Sequence, residues 1–149
     1  MQTNYVSRSS SKGRLWAHIV YKVKYCHRIF DFYDIKTRCE QIFLAVAENN
    51  QLEISQIGFG SHHVHMDIDL GIKSVPEVAK LLKGTSGRKL LEEFPWLKKK
   101  YFWGSGLWNP GTFFDSVGRD KEQIDKYIAN QDKSKSQFRL TNFINSTSL

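Results

Sequence analysis

Ser61-His62-His63-Val64-His65-Met66-Asp67-Ile68-Asp69-Leu70 is the stretch on which the fold turns. Apolar and polar residues alternate through it with the two-residue period of a β-strand, so Val64, Met66, Ile68 and Leu70 share one face while His63, His65, Asp67 and Asp69 share the other. One face is built to pack and the other carries two imidazoles and two carboxylates. A rigid strand fixes the separation of His63 and His65 better than a loop would, which makes the pair a candidate for one metal ion. The competing reading is a pair of histidines that are merely exposed, or satisfied within a core. Asp67 and Asp69 are candidate ligands, or acceptors that orient an imidazole through its second ring nitrogen.

Working outward, Gly58-Phe59-Gly60-Ser61 has the composition of a turn, and Leu52–Gly58 before it is strand-like. The histidine strand is therefore the second arm of an antiparallel hairpin. Upstream, Ile35, Cys39, Ile42, Phe43, Val46 and Ala47 recur near every 3.6 residues, which predicts a helix over 34–48 with Asp34 at its N-cap. Leu15–Tyr25 reads as the first strand, with His18, Val20, Lys22 and Lys24 on one face and Ala17, Ile19, Tyr21, Val23 and Tyr25 on the other. Downstream, Ser74-Val75-Pro76-Glu77 is a capping box that opens a second helix, which Gly84 and Gly87 are placed to bend or interrupt. Two further strand-like runs, 101–108 and 112–117, flank the turn Asn109-Pro110-Gly111, and Asp120 with Gln123 opens a last helix through Ile124, Tyr127, Ile128 and Gln131.

The first six elements follow the order β-α-β-β-α-β. That order predicts an α+β, ferredoxin-like antiparallel sheet with its helices on one face and the histidine face left open, plus an extra strand and a C-terminal helix bearing Tyr127. The domain boundaries expected are a flexible basic arm over 1–14, one globular domain over 15–132 and a polar tail over 133–149.

The chain of 149 residues, 40% hydrophobic, suits a single core. Its formal charge of +7 favours an anionic partner such as nucleic acid or a membrane surface. No run of ~18 apolar residues and no signal-peptide pattern is present, so a cytoplasmic, non-membrane protein is expected. Cys26 and Cys39 lack the spacing of a zinc knuckle or a disulfide framework and read as reduced thiols. Lys80, Lys83, Arg88, Lys89, Lys98, Lys99 and Lys100 outnumber Glu77, Glu92 and Glu93 between 75 and 100. Of these Lys83, Arg88, Lys89, Lys98, Lys99 and Lys100, together with Lys22 and Lys24, form the candidate DNA-contacting set.

Tyr127 and Gln131 are four residues apart, hence one turn apart on the same helical face. A lone tyrosine usually packs. Its chemical use is as a nucleophile toward phosphate, with the Gln131 carbonyl available to the same divalent ion as the histidines. A phenol with a pKa of about 10 needs help to attack at neutral pH, and a metal ion that neutralises the phosphate supplies it.

Three segments in order then carry a resemblance. His63-Val64-His65 resembles the HUH motif, Gly106-Leu107-Trp108-Asn109-Pro110 the G-x-L-W-x-P segment, and Tyr127-Ile128-Ala129-Asn130-Gln131 the Y-I-x-x-Q helix of the small single-tyrosine HUH transposases of bacterial and archaeal insertion sequences. Lys24-Tyr25 resembles that family's K-Y segment. The resemblance spans about residues 15 to 131. His62 departs from it, since members often carry an acidic residue before the first motif histidine.

The resemblance implies a homodimer that cleaves and rejoins single-stranded DNA at hairpin-marked element ends. Tyr127 would attack the scissile phosphate to give a 5′-phosphotyrosine link, His63, His65 and Gln131 would hold Mg2+ or Mn2+, and the tyrosine helix of one subunit would complete the site of its partner. Two alternatives stand beside this reading. One is a non-catalytic or domesticated relative that binds DNA hairpins through the basic patch and the aromatic 101–114 segment. The other, a metal-dependent oxygenase or hydrolase using His63, His65 and Asp67, leaves the basic surplus and Tyr127-Gln131 without a purpose.

Overall fold

A computed structural model of the chain describes the backbone of residues 6–8 and 11–116, with side chains from Arg14 onward. The expected last helix, Tyr127, Gln131 and the polar tail lie outside the described residues. Six strands are described: β1 (Val6–Arg8), β2 (Ser11–Gly13), β3 (Trp16–Lys22), β4 (Glu53–Phe59), β5 (His63–Asp69) and β6 (Phe113–Ser116). Two long helices, α1 (Tyr33–Asn49) and α2 (Val75–Glu93), connect them.

The main sheet has the order β4-β5-β3-β6 and every pairing in it is antiparallel. Taking β3, β4, β5 and β6 as the four strands of the β-α-β-β-α-β order, this is the ferredoxin-like arrangement, with the first and third strands at the centre. Alternation decides which face is which. Ala17, Ile19, Tyr21 and Val23 from the first strand region join Val64, Met66 and Ile68 of β5 in one buried cluster with α1 (Ile35, Cys39, Ile42, Phe43, Val46) and α2 (Val78, Leu82, Leu90). Both helices therefore cover a single face. Val20, on the other face, packs instead with Phe113.

Three local expectations change. The helix over 33–49 has no side-chain cap, because Phe32 occupies the N-cap and Asp34 sits inside the first turn, where a carboxylate still opposes the positive end of the helix. The Ser74 capping box forms as expected, with Glu77 N donating to Ser74 Oγ at 3.2 Å and Ser74 N to Glu77 Oε1 at 3.3 Å. From it α2 runs unbroken through Gly84 and Gly87, because a core-facing stripe outweighs the ~1 kcal/mol that a helical glycine costs. Within the stretch read as a flexible arm, β1 and β2 pair as a two-stranded antiparallel ribbon.

The run 101–108 is not a strand. Lys98–Phe102 instead winds into a wide π-type turn after a short helical turn at Pro95–Leu97, and only Trp108 reaches the sheet, as an isolated bridge to Val23. The fourth strand of the ferredoxin-like order is thus 113–116. Aromatic density misled here, since β-propensity reports fitness for a half-buried surface and these rings find one off the sheet. Leu107 and Trp108 are core residues, and the indole Nε1 donates to Ser86 Oγ at 2.9 Å, pinning the Gly106–Pro110 segment against α2. Cys39 is buried and Cys26 exposed, both as free thiols. No helix among the described residues is long and apolar enough to cross a membrane.

Candidate active site

β5 lies between β4 and β3, and its register against β3 sets Lys22 opposite His63, Val20 opposite His65, His18 opposite Asp67 and Trp16 opposite Asp69. The predicted face is therefore real, and β3 contributes His18 and Lys22 to it. The expectation that it lies open is not met. His65, Asp67 and Asp69 have no exposed surface, and His63 is 8% exposed. The His63 and His65 rings are 5.8 Å apart, tilted by 36°. With nitrogens about 2.1 Å from one ion, two imidazoles have centroids roughly 4.6 to 6 Å apart, so the pair fits a shared divalent ion.

The two carboxylates are anchors. Asp69 Oδ1 accepts the backbone N–H groups of Leu15 and Gly71, each at 2.9 Å, tying the segment that enters β3 to the one that leaves β5. Asp67 Oδ2 accepts Ser55 Oγ at 3.0 Å, across the point where β4 shifts register. Among the described residues no cluster of three His, Cys, Asp or Glu side chains is arranged to hold a metal ion, so a third ligand would come from another residue type or from elsewhere in the chain.

His18 is the site residue that sequence reasoning placed on the correct face and gave no role. Its ring lies 6.5 Å from that of His65, and among the described residues neither ring nitrogen has a hydrogen-bond partner. Burial, with the His65 ring next, holds its pKa down at about 4, against a smaller opposing pull from Asp115. The imidazole is thus neutral at pH 7. Because the folded value lies below the unfolded 6.5, His18 contributes stability that is complete above pH 6.5 and is lost as the pH falls toward 4. That contribution is on the order of 3 kcal/mol. Urea titrations of metal-free protein at pH 7 and pH 4.5 are expected to show an acid loss that His18→Asn largely removes.

Gly60 positions His63. Its N–H donates to His63 O at 2.9 Å to close the hairpin turn, and the His63 ring lies directly over its α-carbon. A Cβ at residue 60 would come within 2.7 Å of both His63 Nδ1 and Nε2, so any side chain there displaces the imidazole.

The candidate DNA contacts are not all in one place. Lys22 is buried on the histidine face beside His63. Lys83 has its ammonium engaged by the Asn109–Gly111 turn, donating to Asn109 O at 2.9 Å and Gly111 O at 2.7 Å, and burial lowers its pKa to about 8. Arg88 and Lys89 are exposed on α2, which packs on the face opposite the histidines. Lys98, Lys99 and Lys100 are exposed on the π-type turn. Lys24 follows the end of β3, where its N–H donates to Leu107 O at 2.9 Å.

A four-stranded antiparallel sheet with two helices on one face and an imidazole pair buried on the other defines the class of protein. The sequence matches the family described as "Transposase IS200 like" over residues 11–131, and the chain belongs to that family. It is 32% identical over 116 residues to the ISDra2 transposase TnpA of Deinococcus radiodurans, covering 76% of this chain and 81% of that one. It is 33% identical over 116 residues to the transposase for insertion sequence element IS200 of Salmonella typhimurium, covering 76% and 74%. A transposase crystal structure from Deinococcus radiodurans R1 superposes with a TM-score of 0.65 at 28% identity, over 85% of this chain and 97% of that one. A REP-associated tyrosine transposase bound to a REP hairpin shares the fold, with a TM-score of 0.56 at 15% identity over 92% and 77%.

Proposed function

We propose that this transposase cleaves and rejoins single-stranded DNA at hairpin-marked element ends, with Tyr127 as nucleophile and His63, His65 and Gln131 holding Mg2+ or Mn2+. The observation that carries the reading is the buried His63–His65 pair, fixed side by side on a central strand in a chain whose family match extends through Tyr127 and Gln131. The REP hairpin held by a protein of like fold supports the choice of a hairpin substrate.

In the proposed reaction the Tyr127 phenol gives up its proton as its oxygen bonds to the scissile phosphorus, the P–O3′ bond breaks, and the departing oxygen takes up one proton to leave a free 3′-hydroxyl. The 5′ phosphate stays on the tyrosine. One phosphodiester replaces another, so a second 3′-hydroxyl can reverse the step on new DNA without an external energy source. The divalent ion supplies neutralisation of phosphate charge. The ring nitrogens of His63 and His65 would donate lone pairs to that ion, and the adjacent neutral His18 adds no positive charge against a cation. Lys22 contributes a buried ammonium for the phosphate. Lys24 and Lys98–Lys100 receive the flanking backbone. We further propose that the enzyme works as a homodimer in which the tyrosine helix of one subunit serves the histidines of the other.

Incubation of the protein with single-stranded element-end DNA and Mn2+ is expected to give a covalent protein–DNA complex on a denaturing gel. Absence of an adduct with any subterminal hairpin would overturn the proposal. The Gly60 geometry adds a second expectation. Gly60→Ala moves a side-chain ring and not backbone, so the melting temperature is expected to hold while Mn2+ affinity falls about 10- to 100-fold, the range for residues that orient a metal ligand. Calorimetric Mn2+ titration of the DNA-free variant checks this, and unchanged affinity would remove Gly60 from that role.

A further inference from the structure

Five aromatic rings form a continuous ridge at the end of the sheet where β3 finishes. Tyr25 contacts His27 with centroids 5.8 Å apart, His27 contacts Tyr101 at 4.6 Å, Tyr101 contacts Trp96 at 6.4 Å, and Trp96 contacts Phe32 at 5.1 Å. The ridge is not a core. Tyr25 is 65% exposed, Phe32 41% and Trp96 38%. Nor is its backbone relaxed, since Tyr25 and Cys26 both adopt left-handed φ values, 61° and 56°, a conformation that bulky residues rarely hold. A ring as exposed as that of Tyr25, on a backbone this costly, stabilises the fold little, and such strain gathers at binding sites.

We infer that this ridge is a stacking surface for unpaired bases of the DNA strand next to the histidine site. The charge around the rings favours nucleic acid over a protein partner. Lys100 Nζ lies 5.3 Å from the Tyr101 ring centre and Lys24 Nζ 5.9 Å from that of Tyr25, and Lys98 and Lys99 are exposed on the same turn. Lysine is depleted in protein–protein interfaces, whereas aromatic faces set among lysines are what single strands select, because every base offers a π-face and every linkage a negative charge. A duplex keeps its bases stacked inside, so the occupant is an unpaired segment.

Position ties the ridge to the site. Val23 N donates to His62 O at 2.8 Å and Phe30 N to Ser61 O at 3.0 Å, so the loop bearing Tyr25 and His27 is laced to the turn immediately before His63. Bases gripped there sit beside any strand that reaches the imidazoles. The inference rests on the reading of the protein as a single-strand DNA enzyme.

The test compares two probes, a DNA hairpin with a single-stranded flank and the same hairpin blunt-ended, by fluorescence anisotropy at fixed salt. Tyr25→Asn removes the ring while keeping a residue that tolerates left-handed φ, and Trp96→Leu keeps apolar bulk without the π-face. Each variant is expected to bind the flanked hairpin about tenfold more weakly and the blunt hairpin as wild type does. Flanked DNA is also expected to quench tryptophan fluorescence less in Trp96→Leu than in wild type. Wild-type affinity of both variants for the flanked probe would overturn the inference, as would an equal loss on both probes. If the wild-type protein binds neither hairpin, the DNA reading itself falls and takes the inference with it.

Discussion

Tyr127→Phe is expected to abolish strand cleavage and the covalent DNA adduct while leaving hairpin binding intact. The change deletes a single oxygen atom. If that oxygen is the nucleophile, no neighbouring group replaces it, because water attacking in its place would leave a free 5′ phosphate and no protein–DNA bond. Loss of a nucleophile commonly costs about 10⁴-fold or more in rate, so adduct should be undetectable on a denaturing gel with labelled DNA. Binding should survive, since affinity for a hairpin is carried largely by phosphate contacts. A 5′-linked adduct persisting in the variant would transfer the role to another residue, and Tyr25 would then be the first tyrosine to replace.

The second large effect is expected from His65→Ala. His65 has no exposed surface and lies between β3 and β4, opposite Val20 and Gly58. If the pair holds the metal ion as proposed, the substitution removes one of its two nitrogen donors from a site too enclosed for bulk water to take over freely. Changes to groups that merely orient a ligand cost 10- to 100-fold in metal affinity or activity. Loss of the ligand itself should therefore lower cleavage at limiting Mn2+ by at least about 100-fold, with partial recovery at high metal. Rates unchanged at limiting metal would remove His65 from the site. The truncation also leaves a void, so the melting temperature must be read in parallel. His65→Asn, which fills more of the space, separates a packing defect from loss of the ligand.

Much of the fold was legible because period and caps are local signals. Alternation across 63–69 assigned each side chain of β5 to its face, and the Ser74–Glu77 box marked the start of α2 to the residue. The run 101–108 was misread because its aromatic content satisfies β-propensity equally well whether its rings pack beside a strand or under a turn. Trp108 settles into the core against Tyr21, Phe30 and Phe43, contacts far apart in the chain that no local window contains. The candidate DNA contacts show the same limit. Lys83 and Lys98 read alike in the sequence, yet one ammonium is engaged by the carbonyls of a turn and the other lies in solvent.

By itself the sequence determined that His63 and His65 point the same way, because a strand repeats every two residues whatever surrounds it. It also determined the order of the first five elements, β-α-β-β-α, and with it the ferredoxin-like pattern, while the strand that completes the sheet is 113–116 and not 101–108. Only the tertiary structure decided that this face is buried, that His18 and Lys22 join it across the β3–β5 register, and that the His63 imidazole rests on Gly60. Each of these depends on which strands become neighbours and how closely their backbones approach. That is settled by the packing of the whole chain, since no residue carries its cross-strand partner in its own sequence.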